Sequence, residues 1–300
     1  MPCPDVSICF VNWRTPDDLI ACVRSIEAAP PRYEYDIRIV DNASGDGSPE
    51  RLAECVPSAN LILNEGNVGF GRAANQAIRE TRGRYVLLLN PDVIVREGAV
   101  DALVGFMDET PRAGACGGTM RSPKGRRHHS CRRFPTSLAA AFRGTPLSFF
   151  VRHSRYEREY LMEGEEFEGP TEVDWLSGSC LMLRRAVLDE VGVFDERYFM
   201  YLEDTDLCYR MHQAGWGVYY VPGAEFVHTI GRSSDQAQVR MIVAHHRSML
   251  VYYRKNLAAT VPLPLRPLYA VGVIARCLVI LTKNRLMRWR AWRVSGAAKT

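Results

Sequence analysis

Four short apolar segments, each ending in a cluster of Asn, Asp or Gly, follow one another at helix-length intervals through the first third of the chain. Val6–Asn12 (VSICFVN), Asp36–Asp41 (DIRIVD), Asn60–Leu63 and Arg84–Leu89 (RYVLLL) are too short and too rich in β-branched and large apolar residues for helices, and read as buried strands. Helical spacing separates them: Leu19, Ile20, Val23 and Ile26 behind Thr15 and Pro16, then Pro49–Cys55, then Gly69–Arg82. Glu97–Asp108 reads as a further helix and Ala113–Met120 as a strand. This alternation predicts an α/β chain with a mainly parallel central sheet and helices on both faces. Ligands of such sheets bind at the carboxyl ends of the strands. Asn12, Asp41-Asn42, Asn64–Gly69 and Asn90-Pro91-Asp92 all fall there, so four distant stretches converge on one crevice.

The pattern degrades between Arg121 and Thr171, where Lys124, Arg126, Arg127, Arg132 and Arg133 cluster with His128 and His129, and an acidic stretch follows from Glu157 to Glu168. Such an excursion reads as a surface segment. Its basic run is either a solvated loop or a grip on a diphosphate; aromatics are too sparse within it for a nucleic-acid surface. Order returns with Val173–Leu183, a helix at Arg185–Val191, a helix at Glu203–Ala214, strands at Gly217–Val221 and Glu225–His228, and a long helix at Gln238–Arg254.

Several classes are excluded by missing motifs. No GxxxxGK[ST] argues against a P-loop ATPase, Gly66-Asn-Val-Gly69-Phe-Gly71 does not spell GxGxxG, and neither HExxH nor GxSxG occurs. Asn12-Trp-Arg-Thr-Pro16 lacks the glycines of a nucleotidyltransferase triphosphate loop. Nine scattered Cys, an odd number with no CxxC pair, predict reduced thiols rather than a disulfide framework or a metal ribbon. No secretory signal is legible at the N-terminus.

Four stretches could carry chemistry. Asp92, ending the LLLNPD strand, could hold a divalent cation; Asn90-Pro91-Asp92 is equally suited to a capped turn. Glu203-Asp-Thr-Asp206 places three acids in a helix's first turn, where they complement its dipole. The aromatic stretch before it, Val193–Tyr201, makes a carboxylate there a candidate general base, because desolvation raises its pKa. His228 ends a short strand and is either structural or a ligand. Asp41-Asn-Ala-Ser44-Gly-Asp46 is a ribose- or base-binding loop or a capped turn.

In order along the chain, VSICFVNW (6–13), VDNASGDGS (40–48), NEGNVGFGRAANQ (64–76), LLLNPDV (87–93), WLSGSCLMLRR (175–185) and FDERYFMYLEDTDLCYRMHQAGW (194–216), followed by His228, resemble glycosyltransferase family 2 and its rhamnosyltransferase-like branch. The resemblance implies a GT-A-type nucleotide-binding sandwich over residues 1–256. Residues 1–120 would be the nucleotide half and 121–256 the acceptor and catalytic half, followed by a C-terminal helical tail at 257–300. It implies inverting transfer from a dTDP- or UDP-linked sugar, with rhamnose favoured, to a glycan or lipid-linked acceptor of cell-surface polysaccharide, and a Mg²⁺ or Mn²⁺ cofactor. It assigns Asn12, Asp41, Asn67, Gly69, Arg72, Asn75 and Asn90 to the donor nucleotide, and Asp92 and His228 to the metal. Asp204, beside Glu203, becomes the base, and Trp175, Gly178 and Arg210 lie on the sugar and acceptor side. The branch has Asn90 where other members carry a first Asp, which leaves Asp92 most of the metal binding. A scaffold that binds sugar nucleotides without turnover is the alternative; intact Asp92, Asp204 and His228 argue against it.

The tail carries eight Lys/Arg and no acid from Leu257 onward, so the net charge of +4 divides into a body of −4 and a basic apolar end. Arg266 and Arg276 interrupt its apolar run, which argues against a bilayer span. An interfacial helix over 261–293 fits better, with Leu268, Tyr269, Val271, Ile274, Leu278 and Leu281 on its apolar side. Lys283, Arg285, Arg288, Arg290, Arg293, Trp289 and Trp292 would meet headgroups. Packing on the body or in a homo-oligomer is the other option. The expectation is a cytoplasmic protein, peripheral on the inner face of the membrane.

Overall fold

The computed structural model describes residues 3–128, 130–135, 155–162, 164–228 and 238–297, and of 288–297 the backbone alone. His129, much of the excursion and the side chains of Arg288, Trp289, Arg290, Trp292 and Arg293 lie outside the described residues.

The four converging strands form as the sequence predicts: β1 (Val6–Asn12), β2 (Tyr35–Asp41), β3 (Asn60–Leu63) and β4 (Tyr85–Leu89) lie parallel in the order β3-β2-β1-β4. The chain builds outward from β1 to β3, then returns to β4 on the other side, and the crevice opens at that reversal. Within β1, Val6, Ile8 and Phe10 join one core cluster and Cys9 the other, as alternation across a doubly covered sheet requires. Helices α1 (Pro16–Ala28) and α4 (Ala99–Glu109) cover one face. Helices α3 (Phe70–Arg79), α6 (Arg185–Val191) and α7 (Glu203–Gln213) cover the other, with α5 (Arg155–Leu161) beyond them, while α2 (Ser48–Cys55) buries Leu52 on the first face beside α1.

Beyond β4 the sheet becomes mixed. β10 (Cys180–Arg184) runs antiparallel between β4 and β6 (Ala113–Arg121), and β11 (Gly217–His228) lies parallel to β6. β5 (Val93–Val95) and β8 (Thr171–Glu172) pair antiparallel to β11. Six strands therefore run one way and three the other. A separate pair joins β7 (Cys131–Arg132) to β9 (Trp175–Leu176).

Three local expectations change. The strands read at 217–221 and 225–228 are one strand: its pairing with β6 jumps from Val221↔Gly118 to Glu225↔Thr119 around Pro222-Gly223, a bulge that bends the strand without ending it. Gly118 makes room for it, since a Cβ there would lie 2.2 Å from the Ala224 carbonyl oxygen. The stretch 173–183 breaks at Ser177-Gly178-Ser179 into β9 and β10. β5 has its signal in Val93-Ile-Val95, but follows a turn so closely that it merges with it on reading.

Behind the sheet, α8 (Gln238–Tyr252) passes through a π-helical turn, Tyr253–Leu257, and leads to α9 (Arg266–Ala297). The junction is fixed by Asp206, which is 0% exposed and accepts from Tyr198 Oη (3.1 Å), Arg210 Nε (3.0 Å), Lys255 Nζ (2.7 Å) and Asn256 Nδ2 (3.0 Å). Tyr253 and Tyr269 stack with centroids 3.8 Å apart, so Tyr269 faces the body and not the apolar side expected of it. Arg276 is 9% exposed and donates to His246 Nε2 (3.1 Å) on α8, so the charge expected to interrupt the apolar face is turned inward. Leu268, Val271 and Leu278 are 62%, 61% and 60% exposed on the outer face. Leu263–Met287 is, among the described residues, the one helix long and apolar enough to cross a membrane, with mean hydropathy 1.7.

Asp206→Asn is expected to lower stability by about 2–4 kcal/mol, because two cations lose a buried counter-charge. The urea midpoint measures it, and faster tryptic cleavage at Arg254 and Lys255 should accompany it.

Candidate active site

The strand ends form a hydrogen-bonded lattice before any ligand is considered. Asn12 Nδ2 donates to Asp41 Oδ2 (2.7 Å) and to Ser44 Oγ (3.2 Å), while Ser44 Oγ and its amide donate to the two Asp41 oxygens at 2.6 and 3.0 Å. Thr15 directs its hydroxyl to Asn12 Oδ1 (3.2 Å) rather than capping α1. Asn12 and Asp41 are thus buried and spent on one another, so they set the shape of the crevice wall. Asn42 has the same role toward the next loop: its carbonyl accepts from Val68 N and Asn64 Nδ2, and its amide donates to Asn67 Oδ1 and the Gly69 carbonyl.

Gly69 stands at φ +91°, where a Cβ would lie 2.4 Å from the Phe199 carbonyl oxygen; that oxygen accepts from Phe70 N (2.8 Å). The glycine therefore lets α3 start directly against the aromatic 194–201 segment. Asn75 clamps the same segment by exchanging hydrogen bonds with the Phe194 backbone (2.9 and 3.0 Å), and Arg72 sits exposed on the rim near Glu196. These positions hold the loop that precedes α7.

Asp92 and His228, 136 residues apart, are brought together: His228 Nε2 lies 3.1 Å from Asp92 Oδ1. The β5–β11 pairing does this by setting His228 opposite Val93. Among the described residues no three His, Cys, Asp or Glu side chains converge as a cation cage. One carboxylate and one imidazole suit an ion whose remaining positions are filled by substrate phosphates and water. The His128 ring stands edge-on to that of His228, centroids 6.4 Å apart.

Asp204 is reached from this pair through hydrogen-bonded neighbours. Asn90 N donates to the Ser179 carbonyl (3.1 Å), and Gly178 N donates to Asp204 Oδ2 (3.0 Å). Asp204 Oδ1 accepts from Thr205 N (2.7 Å). Burial raises the Asp204 pKa above the usual carboxylate value, and the Gly178 and Thr205 donors and the Arg132 charge moderate the rise. Tyr201 and Leu202, immediately before the helix, stand at φ +70° and +67°, a conformation costly for non-glycine residues and frequent where a site imposes its geometry. Glu203 is only 5% exposed, and its Oε2 has no hydrogen-bond partner. Burial, with Asp204 alongside, lifts its pKa well above the usual value, so it stays protonated where Asp204 ionises.

Trp175 supports the same end, donating from Nε1 to the Arg133 carbonyl (2.9 Å). Arg210 does not reach it. Its guanidinium donates to Asp206 and to the carbonyls of Val191, Gly192 and Val193, which corrects its assignment to the acceptor side. At about 100° per residue, a position six beyond Asp204 points elsewhere on the helix. Arg132 is the member of the basic run that the sequence named but did not single out. Its signal was present in the basic run, where buried Cys131 and partly exposed Arg132 alternate as a strand does.

The sequence matches the family model "Glycosyl transferase family 2" over residues 5–192. An N-acetylglucosaminyl-diphospho-decaprenol L-rhamnosyltransferase of Mycobacterium tuberculosis is 36% identical over 244 residues, covering 77% of this chain and 78% of its own length. Rhamnosyltransferase WbbL of Escherichia coli is 29% identical over 183 residues, covering 58% of this chain and 66% of its own. Among solved structures, a mannosyltransferase of Pyrobaculum calidifontis in complex with GDP-Man and Mn²⁺ superposes with a TM-score of 0.56 at 15% identity, over 97% of this chain and 84% of that one. GalNAc-T7 with UDP, GalNAc and Mn²⁺ gives 0.56 at 16% identity, over 77% and 44%. These two similarities establish a shared GT-A-like fold.

The raised Glu203 pKa has a sign. Its contribution to stability is complete below about pH 4.5, the unfolded value, and declines as pH rises toward the folded value. Glu203→Gln cannot ionise, so its stability is expected to rise relative to the parent protein as pH climbs above about 4.5. Paired melting curves across that range measure the divergence.

Proposed function

The chain belongs to glycosyl transferase family 2, on its rhamnosyltransferase-like branch, and from that premise we propose that it transfers rhamnose, with inversion, from a dTDP- or UDP-linked donor to a hydroxyl of a lipid-diphosphate-linked glycan. The observation that carries this reading is the carboxylate of Asp204, half-buried, oriented by the Gly178 amide and joined through Ser179 and Asn90 to the strand end that bears Asp92. The lipid-linked acceptor and rhamnose are supported by the names of the relatives.

An acceptor hydroxyl is a weak nucleophile, and Asp204 takes its proton as the oxygen attacks the anomeric carbon. Two amide donors fix the carboxylate, and partial burial makes it a stronger base than an exposed aspartate. Glu203, held neutral, adds no second charge at this point. Asp92 and His228 would hold a Mg²⁺ or Mn²⁺ ion, which when bound neutralises the departing nucleoside diphosphate. Asn12, Asp41 and Asn42 keep the nucleoside wall in shape; Asn67, Gly69 and Arg72 lie along its edge, and Asn75 holds α3 to the aromatic segment. One displacement at the anomeric carbon inverts its configuration.

We infer that α9 rests with its outer face on a membrane surface, where a lipid-linked acceptor resides, a reading supported by its exposed apolar residues. Its exposed Leu268, Val271 and Leu278 form the apolar contact and the basic residues beyond Thr282 meet anionic headgroups.

Asp204→Asn is expected to reduce transfer by about 10²–10⁴-fold while nucleotide binding stays within about twofold. A thermal-shift screen of nucleotide sugars with and without Mn²⁺ identifies the donor and measures that binding; near-normal turnover by the variant would remove Asp204 from the role of base. With the full chain, flotation on anionic vesicles is expected, and Leu268→Glu/Val271→Glu/Leu278→Glu should stay with the soluble fraction. Equal flotation of both proteins would place the membrane contact elsewhere.

A further inference from the structure

The basic run 124–133, ambiguous as sequence, is sorted by the fold. Arg133 is bound to Asp174, and Arg127 lies over the rings of Phe167 and Tyr220. Arg132 differs from both. Its strand pairs with β9, Arg132 opposite Trp175, three residues before the Gly178 whose amide holds Asp204. Its guanidinium sits 5.2 Å from the centroid of Trp175 and 5.9 Å from that of Tyr160. Its Nε is buried and has no hydrogen-bond partner among the described residues.

Such an arrangement is costly without a ligand. The two rings hold the cation at their surfaces, while its buried Nε forgoes water and gains no partner in return. Asp204 does not supply the partner: its oxygens accept from Gly178 and Thr205, and Arg132 Nε makes no hydrogen bond to them. A sugar hydroxyl could accept one hydrogen bond but would leave the positive charge unbalanced. A phosphate oxygen pair matches both the charge and the planar fork. The donor's diphosphate belongs with Asp92 and His228, whereas Arg132 stands beside the base, which must touch the acceptor.

We propose that Arg132 binds a phosphate of the acceptor, so that this enzyme selects a diphosphate-bearing lipid over a neutral glycoside by an arginine that makes no contact with the donor. The proposal rests on the lipid-linked acceptor reading above and names the residue that reads its charge. It also gives the basic run a function: the stretch 127–133 brings His128 against His228 at one end and, at the other, sets Arg132 opposite Trp175, three residues before the Gly178 whose amide holds Asp204.

The test uses the full chain and two probes, geranylgeranyl diphosphate and geranylgeraniol, titrated with and without saturating Mn²⁺ and UDP or dTDP. The diphosphate is expected to bind with the nucleotide site filled, and Arg132→Met, which keeps the apolar stem against Trp175, should weaken it by about tenfold or more. Nucleotide affinity and geranylgeraniol binding should stay within about twofold, and Arg132→Lys should recover some of the loss. Diphosphate affinity unchanged in Arg132→Met would overturn the proposal. So would equal losses for both probes, or displacement of the diphosphate by nucleotide. In turnover, the loss should fall on the KM of a diphosphate-linked acceptor and spare a neutral glycoside. A shifted acid limb of the pH–rate profile with both acceptors equally impaired would instead make Arg132 a support of Asp204, and also overturns it. Absence of nucleotide binding by the parent protein counts against the transferase reading alone, because the two lipid probes still decide the role of Arg132.

Discussion

Everything that faces the crevice from α7 depends on a carboxylate that faces away from it. Asp206 is fully buried and accepts hydrogen bonds from the aromatic segment, from its own helix and from the turn that leads to the tail. A buried charge is tolerable only when its partners are complete, so this one residue fixes three elements in a single arrangement. Asp204 lies two residues earlier, about 200° around the helix. The same helix turn therefore holds one carboxylate immobile in the protein and turns the other toward the Gly178 amide, and the rigidity of the first is what aims the second.

A comparable division runs through the strand ends. Polar residues at the carboxyl ends of parallel strands are the usual sign of a ligand site, yet most of those seen here are bonded to each other. Asn12, Asp41 and Ser44 form one closed group and Asn42, Asn64 and Asn67 another. Their effect is preorganisation: the loops between strands and helices are held in place before a nucleotide arrives, which reduces the ordering cost of binding. The groups left to act, Asp92 with His228 and Asp204, stand out because the lattice around them is satisfied.

The layout of the fold was legible because each strand of the first half is a short run of β-branched and apolar residues, and each helix shows its period beside it. The catalytic candidates were partly legible for the same reason, since a strand end is a definite place. What escaped was direction. Arg210 lies on the right helix but on the wrong side of it; Tyr269 and Arg276 belong to an apolar helix, but face the body. The pairing that joins His228 to Asp92 runs through β5, three residues long, and no local pattern reports which distant strand it will meet. Arg132 was hidden by its neighbours, because five cations in ten residues look alike until a two-residue strand separates them.

The π-helical turn at Tyr253–Leu257 amounts to one residue more than an α-helix would use between the same points. That extra residue brings Lys255 and Asn256 onto Asp206 before the chain leaves the helix at Val261-Pro262 and turns into α9. Removing Tyr253 or Arg254 would rotate both donors by about 100° and carry them off Asp206. A deletion there should therefore be far less tolerated than a substitution of the same residue, although the segment contains no residue of the crevice: its length, more than its composition, keeps the two donors on the buried carboxylate.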